Sequence, residues 1–306
     1  MTHFISIADC TREQLRHLLD VSRRLKHQLK STGRNDPLLA GRTLAMIFEK
    51  PSLRTRVSFN VAMNHLGGSA MMLRQEEVGL GVREPVRDVA RVLSGMCDCI
   101  MARTFEHEKV VELARWSSVP VINGLTDYSH PCQAMADLLT IEEHFGDLAG
   151  RTLAFIGDGN NVARSLAAAC GRFDMRFVIA SPPDYRLAPA DVDRIRAEVP
   201  GLEFVMLDDP LAAVRNADVI YTDTWVSMGQ EAEKAQRLRD FAGFQVNTRL
   251  LAAAPEHAIV LHCLPAYRGL EISEAVIECP RSLVFPQAEN RLHFQKGLLA
   301  VLMGRA

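Results

Sequence analysis

Short apolar runs alternate with segments of helical period along almost the whole chain, and no other feature limits the fold as much. The first half reads strand "TLAMIF", helix "RVSFNVAMNHL" stopped by Gly67-Gly68, strand "SAMML", helix "PVRDVARVLSGM", strand "CIMARTF", helix "HEKVVELARWSS" and strand "VPVIN". The runs are apolar throughout instead of alternating with polar residues, a pattern that suits parallel strands covered on both faces. A longer helix from Pro131 to about Phe145 then leads into the polar break "GDLAGRT". After it comes a second series: "TLAFIG", helix "NVARSLAAACGRF", "RFVIAS", a helix near 187–198, "EFVML", helix "LAAVRNA", "DVIYTDT", a charged helix near 231–240, "AIVLHCL" and a final helix after Pro286. Two such blocks imply an α/β fold of two parallel-sheet domains joined by an interdomain helix, with the active site in the cleft between them. The expected bounds are 1–130 for the first domain, completed by the C-terminal helix at about 288–306. The joining helix takes 131–148 and the second domain 149–287.

Composition removes several classes of function. The 306 residues are 48% hydrophobic and 24% charged, as in ordinary soluble globular proteins, so fibrous and disordered classes drop out. A net charge of −2 argues against a nucleic-acid partner or an anionic membrane surface, so an anion site has to be a local gathering of arginines. No stretch approaches the ~18 uninterrupted apolar residues of a membrane span. The start, "MTHFISIADC", lacks the basic head and apolar run of a signal peptide. Seven cysteines without zinc-site spacing read as reduced thiols in a cytoplasmic protein that holds no metal.

In open α/β sheets, ligands bind beyond the carboxyl ends of the strands. "TLAMIF" runs into Ser52-Leu53-Arg54-Thr55-Arg56, "CIMARTF" carries Arg103 near its end, and "VPVING" leads to His130 and Gln133. In the second block, "TLAFIG" ends at "DGNN", "DVIYTDT" at Asp223 and "AIVLHCL" at His262-Cys263-Leu264-Pro265. A helix starting at Ser52 would offer unpaired backbone N–H groups and a positive dipole end. Ser52 and Thr55 add hydroxyls, and Arg54 adds a planar fork suited to phosphate oxygens. The bland alternative is a capped helix with surface arginines. With Arg103 and His130 at neighbouring strand ends, the phosphate reading is the stronger. Arg56 is expected instead to be an internal ion-pair partner.

These residues resemble the aspartate/ornithine carbamoyltransferase family, from about Phe48 to Arg291. "FEKPSLRTRVSF" looks like that family's carbamoyl-phosphate loop, "HPCQAMADLLT" like its second signature, and "HCLP" and "FPQAENR" like its third and fourth. "DTWVSMGQE" is similar to the loop that separates ornithine-using members from aspartate-using ones. The resemblance implies that Ser52, Leu53, Arg54, Thr55, Arg103, His130, Gln133 and Arg291 hold carbamoyl phosphate. The backbone at Cys263 and Leu264 would meet its carbamoyl end, and Asn161, Asp223, Ser227 and Met228 would hold ornithine. It also implies a homotrimer that needs no cofactor. Two positions depart from the pattern. Leu53 stands where the family has a threonine, and Gly79 stands where it often carries a glutamine that reaches a neighbouring subunit.

The implied reaction is attack of ornithine's side-chain amine on the carbamoyl carbon, giving citrulline and phosphate. Arg54, the Ser52 and Thr55 hydroxyls and the helix N-terminus are expected to steady the leaving phosphate, and Arg103 and His130 the oxyanion. An alkyl ammonium has a pKa of ~10.4, so near neutrality something must take its proton. Asp223 and Cys263 are the candidates, Asp223 orienting and Cys263 accepting. His262 either tunes Cys263 or makes a structural hydrogen bond.

Rival readings are carbamoyl transfer to N-acylornithine, putrescine or aspartate, and a nicotinamide-dependent dehydrogenase suggested by Gly157-x-Gly159. The dehydrogenase reading is weakened by Val162 at the third glycine's place and by the lack of an acidic residue after "FVIAS".

Overall fold

The computed structural model describes residues 1–306 and divides into two compact units, Met1–Leu139 with Glu289–Ala306, and Thr140–Ala288. In the first unit, the apolar runs form β1 (Thr43–Phe48), β2 (Ser69–Arg74), β3 (Cys99–Arg103) and β4 (Val121–Leu125), ordered β2-β1-β3-β4. All three pairings are parallel. β3 is buried at every residue whereas β2, at the sheet edge, is half exposed. Parallel pairing sends every carboxyl end to one rim, and the register sets Phe48 against Arg103 and Arg103 against Leu125. The loops that carry Ser52–Thr55, Arg103 and His130 therefore leave the sheet side by side.

The second unit holds β5 (Thr152–Ile156), β6 (Arg176–Ala180), β7 (Glu203–Leu207), β8 (Val219–Thr222) and β9 (Ile259–His262), in the parallel order β7-β6-β5-β8-β9. Its core joins Ala154, Ile156, Ile220 and Val260 of the strands to Trp225, Phe241 and Phe244. Thr222 pairs with both Ile156 and His262, which gathers the "GDGNN" loop, Asp223 and Cys263 at one rim.

The helix Pro131–Phe145 has the bounds its sequence indicates. The first helix, Arg12–Thr32, starts at a complete capping box of Thr11 and Gln14. The last differs from expectation: it begins at Val284, with Pro286 inside its first turn. A first-turn N–H has no intrahelical partner to lose, so proline is tolerated there. From Glu289 onward this helix is part of the first unit, where Lys26 donates to Asn290 (2.8 Å) and Lys296 to Asn35 (2.7 Å). Three short helices, Gln75–Val78, Thr248–Ala253 and Glu274–Ile277, go beyond the sequence reading. Gly79 closes the first of these at φ +61°, and a Cβ there would lie 2.6 Å from that of Arg83. Gly79 is thus a turn residue.

No helix is long and apolar enough to cross a membrane.

Candidate functional site

The first unit builds a cationic nest. Ser52 caps the helix Leu53–His65, its hydroxyl oxygen accepting from the Thr55 N–H at 3.3 Å. Leu53 is 75% exposed, so in that turn it offers a backbone N–H and nothing polar from its side chain. Thr55 is fully buried, and its hydroxyl oxygen accepts from Arg291 Nη2 at 2.8 Å. The other arm of the same guanidinium, Nη1, donates to Gln133 Oε1, whose amide nitrogen donates to Asp137 at 2.7 Å. Segments that are far apart in sequence are thus fixed against one another by one buried arginine. Arg103 is 6% exposed and His130 5%. Burial pushes the His130 proton affinity well below the usual imidazole range, and the nearby charges of Arg291, Arg103 and Arg54 push it further down. His130 is therefore neutral near pH 7, able to donate one hydrogen bond without adding charge. Three guanidiniums drawn around a neutral imidazole, at a helix N-terminus, suit a small dianion. Arg56 corrects an expectation: it is exposed and forms no ion pair. Only side chains on the inward face of that helix reach the nest.

The second unit builds a site of opposite character. Asp223 is 7% exposed and accepts three hydrogen bonds. The Asn160 amide reaches Oδ2 at 2.8 Å, while the Thr224 N–H at 2.7 Å and the Cys263 thiol at 3.0 Å reach Oδ1. The pairing of Asp223 with Cys263 expected from the sequence is present, and the bond runs from thiol to carboxylate. Sequence reasoning points to Asn161 and misses its neighbour Asn160. Asn160 is the N-cap of the helix Asn161–Arg172, its Oδ1 accepting from Val162 N and Ala163 N, and that leaves its amide to hold Asp223. An asparagine directly before a helical period was the available signal. Asn161 is the first helical residue and is half-buried. Ser227 is half-buried and Met228 is 46% exposed, both in the turn beyond Trp225.

His262 settles into the structural alternative. Its Nδ1 accepts from Leu264 N at 2.9 Å and its Nε2 lies 3.1 Å from the buried Glu271 carboxylate. This brace holds Leu264 at φ +56°, a left-handed conformation that a leucine rarely adopts. Asp223, His262 and Cys263 each bring one potential metal-ligand atom within 4.8 Å of the others. Both ring nitrogens of His262 are already engaged, so a cation would have to break the brace. The residues fit a self-satisfied cluster better than a metal centre.

The second glycine of "GDGNN" serves packing. A Cβ on Gly159 would fall 2.4 Å from Leu187 N and 2.6 Å from Arg186 C, both backbone atoms. In a nucleotide fingerprint such a glycine lets the backbone approach a phosphate; here the close approach is made to this chain's own backbone. Gly159→Ala is accordingly expected to cost about 1–3 kcal/mol by overpacking, read as a lowered midpoint in urea unfolding. An unchanged midpoint would contradict that contact.

The two units match two domains of one known family. Residues 2–143 match the family described as aspartate/ornithine carbamoyltransferase, carbamoyl-P binding domain. Residues 149–302 match its Asp/Orn binding domain. The ornithine carbamoyltransferase of Methanopyrus kandleri is 50% identical, over 99% of this chain and 97% of that protein. That of Anoxybacillus flavithermus is 51% identical, over 98% and 96%. Among solved structures, the ornithine carbamoyltransferase from Pyrococcus furiosus superposes with a TM-score of 0.94 at 47% identity, covering 99% of this chain and 97% of that one. The Burkholderia thailandensis enzyme gives 0.91 at 39% identity, with full coverage of both chains.

Proposed function

Since the chain belongs to the aspartate/ornithine carbamoyltransferase family, we propose that its two units divide the substrates, the first gripping carbamoyl phosphate and the second the amino acid. It is an ornithine carbamoyltransferase, moving the carbamoyl group of carbamoyl phosphate to the side-chain amine of L-ornithine and releasing citrulline and phosphate. The observation that carries the donor assignment is the constellation of Arg54, Arg103 and Arg291 around buried, neutral His130.

Ser52, the Leu53 N–H, Arg54, Thr55 and Arg103 take the phosphate oxygens. As the C–O bond to phosphate breaks, charge builds on that oxygen, and fixed donors stabilise it without reorganising. His130 and Arg103 donate to the carbamoyl oxygen as it becomes an oxyanion. Gln133 and Arg291 fix Thr55 and the wall of the nest, and the Cys263 and Leu264 backbone meets the carbamoyl end. Ornithine's ammonium must shed a proton before its nitrogen can bond to carbon, and the Asp223–Cys263 pair takes it. The thiol already points at Asp223 Oδ1, so the accepting capacity rests on the carboxylate, with sulfur beside it. Asn161 and the Ser227–Met228 turn hold the amino-acid end of ornithine. We assign the protein to the cytoplasm, which its seven thiols suit, and to a homotrimer, as the family resemblance implies.

Phosphate release should be measured with carbamoyl phosphate against ornithine, N-acetylornithine, putrescine and aspartate. Ornithine is expected to give the highest kcat/KM. A higher value for any other amine would refute the acceptor assignment.

A further inference from the structure

We propose that Arg237 is a positioning residue for the acceptor turn, fastening both ends of the segment 226–232 and thereby setting how tightly ornithine is held. This rests on the reading that Ser227 and Met228 contact ornithine.

Arg237 is 6% exposed although it belongs to a short surface helix, Lys234–Asp240. Its guanidinium has partners on three segments. Nη1 donates to the Trp225 carbonyl at 3.1 Å, immediately before the turn. Nε donates to Glu233 Oε2 at 2.9 Å, immediately after it. Nη1 also meets Asp158 Oδ2 at 2.9 Å, at the carboxyl end of β5 beside Asn160. The guanidinium plane lies 4.8 Å over the Tyr185 ring, and the Tyr185 hydroxyl donates to Asp240 at 2.8 Å. One cation thus joins both feet of the turn to the loop that positions Asn160 and, through it, Asp223.

Between those feet the turn is held by Thr224, whose hydroxyl donates to the Val226 carbonyl at 3.0 Å, and by bonds of its own. Ser227 N donates to Gln230 Oε1 (3.0 Å), Gln230 N to the Ser227 carbonyl (3.0 Å) and Gly229 N to Glu231 (3.0 Å). The two feet are unequal. Trp225 is 4% exposed and stacks on Phe241 at 5.6 Å, whereas the Glu233 carboxylate is 60% exposed. Exposed ion pairs are weak, so of the two side-chain fastenings the one at Trp225 is the firmer. The family's amino-acid selectivity loop would then owe its register to an arginine that touches no substrate.

Arg237→Gln removes the charge and the three-way fork. It is expected to raise the KM for ornithine by about ten- to a hundredfold, the usual effect of losing a buried hydrogen bond to a charged group, with the KM for carbamoyl phosphate within twofold of the parent. Arg237→Lys keeps the charge opposite Asp158 and should recover part of the loss. If Arg237→Gln does not fold, the double variant Arg237→Gln/Asp158→Asn removes the buried charges together, and the same KM split is expected of it. In a Trp116→Phe background, Trp225 is the sole tryptophan. Its emission should shift on adding ornithine with inorganic phosphate, and Arg237→Gln should abolish that shift. An unchanged ornithine KM, or an equal rise in both KM values, overturns the proposal. Ser227→Ala separates the two layers. If it leaves the ornithine KM unchanged, the turn is not the ornithine contact. If it raises that KM while Arg237→Gln does not, only the role of Arg237 is refuted.

Discussion

Arg54→Ala is expected to lower turnover about 10²–10³-fold, the usual effect of removing one fixed donor from a site where charge develops. The melting temperature should move by no more than about 2 °C, because a half-exposed side chain outside the core contributes within about ±0.5 kcal/mol to stability. The contrast follows from position. Arg54 is the second residue of the helix Leu53–His65, whose start is capped by Ser52, so the helix does not need it. His130 does not need it to remain neutral either. Burial is the largest influence there, followed by Arg291 and then Arg103, with Arg54 the smallest of the four. On the proposed donor assignment, what the alanine variant lacks is a guanidinium for the phosphate. Initial-rate kinetics and calorimetry on the same preparation check both halves. A collapse in melting temperature would mean that Arg54 is a structural arginine, and undiminished turnover would mean that phosphate binds elsewhere.

Asp223→Asn is the second large effect. In the parent protein both carboxylate oxygens accept, one from Asn160 and the other from Thr224 N and Cys263. An asparagine must turn its NH₂ toward one of these donors, which leaves two donors face to face and costs about 1–3 kcal/mol of stability. On the proposed mechanism it also removes the acceptor for the ammonium proton. Turnover should fall about 10²–10⁴-fold, the contribution of a placed base, while equilibrium binding of carbamoyl phosphate stays as it was. A pH signature separates lost base from lost shape. If proton removal is the missing function, the variant's rate should climb about tenfold per pH unit toward ornithine's own pKa of ~10.4, as the neutral amine becomes available from solution. A flat profile would assign Asp223 to shape alone. Cys263→Ala should be milder than Asp223→Asn, since the thiol donates in this pair and the carboxylate accepts.

Most of the fold was legible because its signal is repeated. β1, β7 and the helix Pro131–Phe145 have the bounds their sequences indicate, each being a block bordered by charge, glycine or proline. The short helices Thr248–Ala253 and Glu274–Ile277 were not legible, because one turn gives a period no room to show itself. The site divides in the same way. Ser52, Arg54 and Asp223 lie at strand ends, where a parallel sheet must deliver them. Arg237 lies in a charged surface helix, and its burial depends on Asp158, 79 positions earlier. Arg56 failed as an ion-pair partner for the converse reason: adjacency in sequence does not fix which way a helical side chain faces.

The hydrogen bond from Arg291 to Thr55 spans 236 positions within a single unit. A ribosome makes every strand of that unit's sheet, and then the whole of the second unit, before it reaches the arginine that ties Thr55 to Gln133. The nascent chain therefore carries the loop at Ser52–Thr55 without its tie to Gln133 through nearly all of translation, until the last helix emerges and docks.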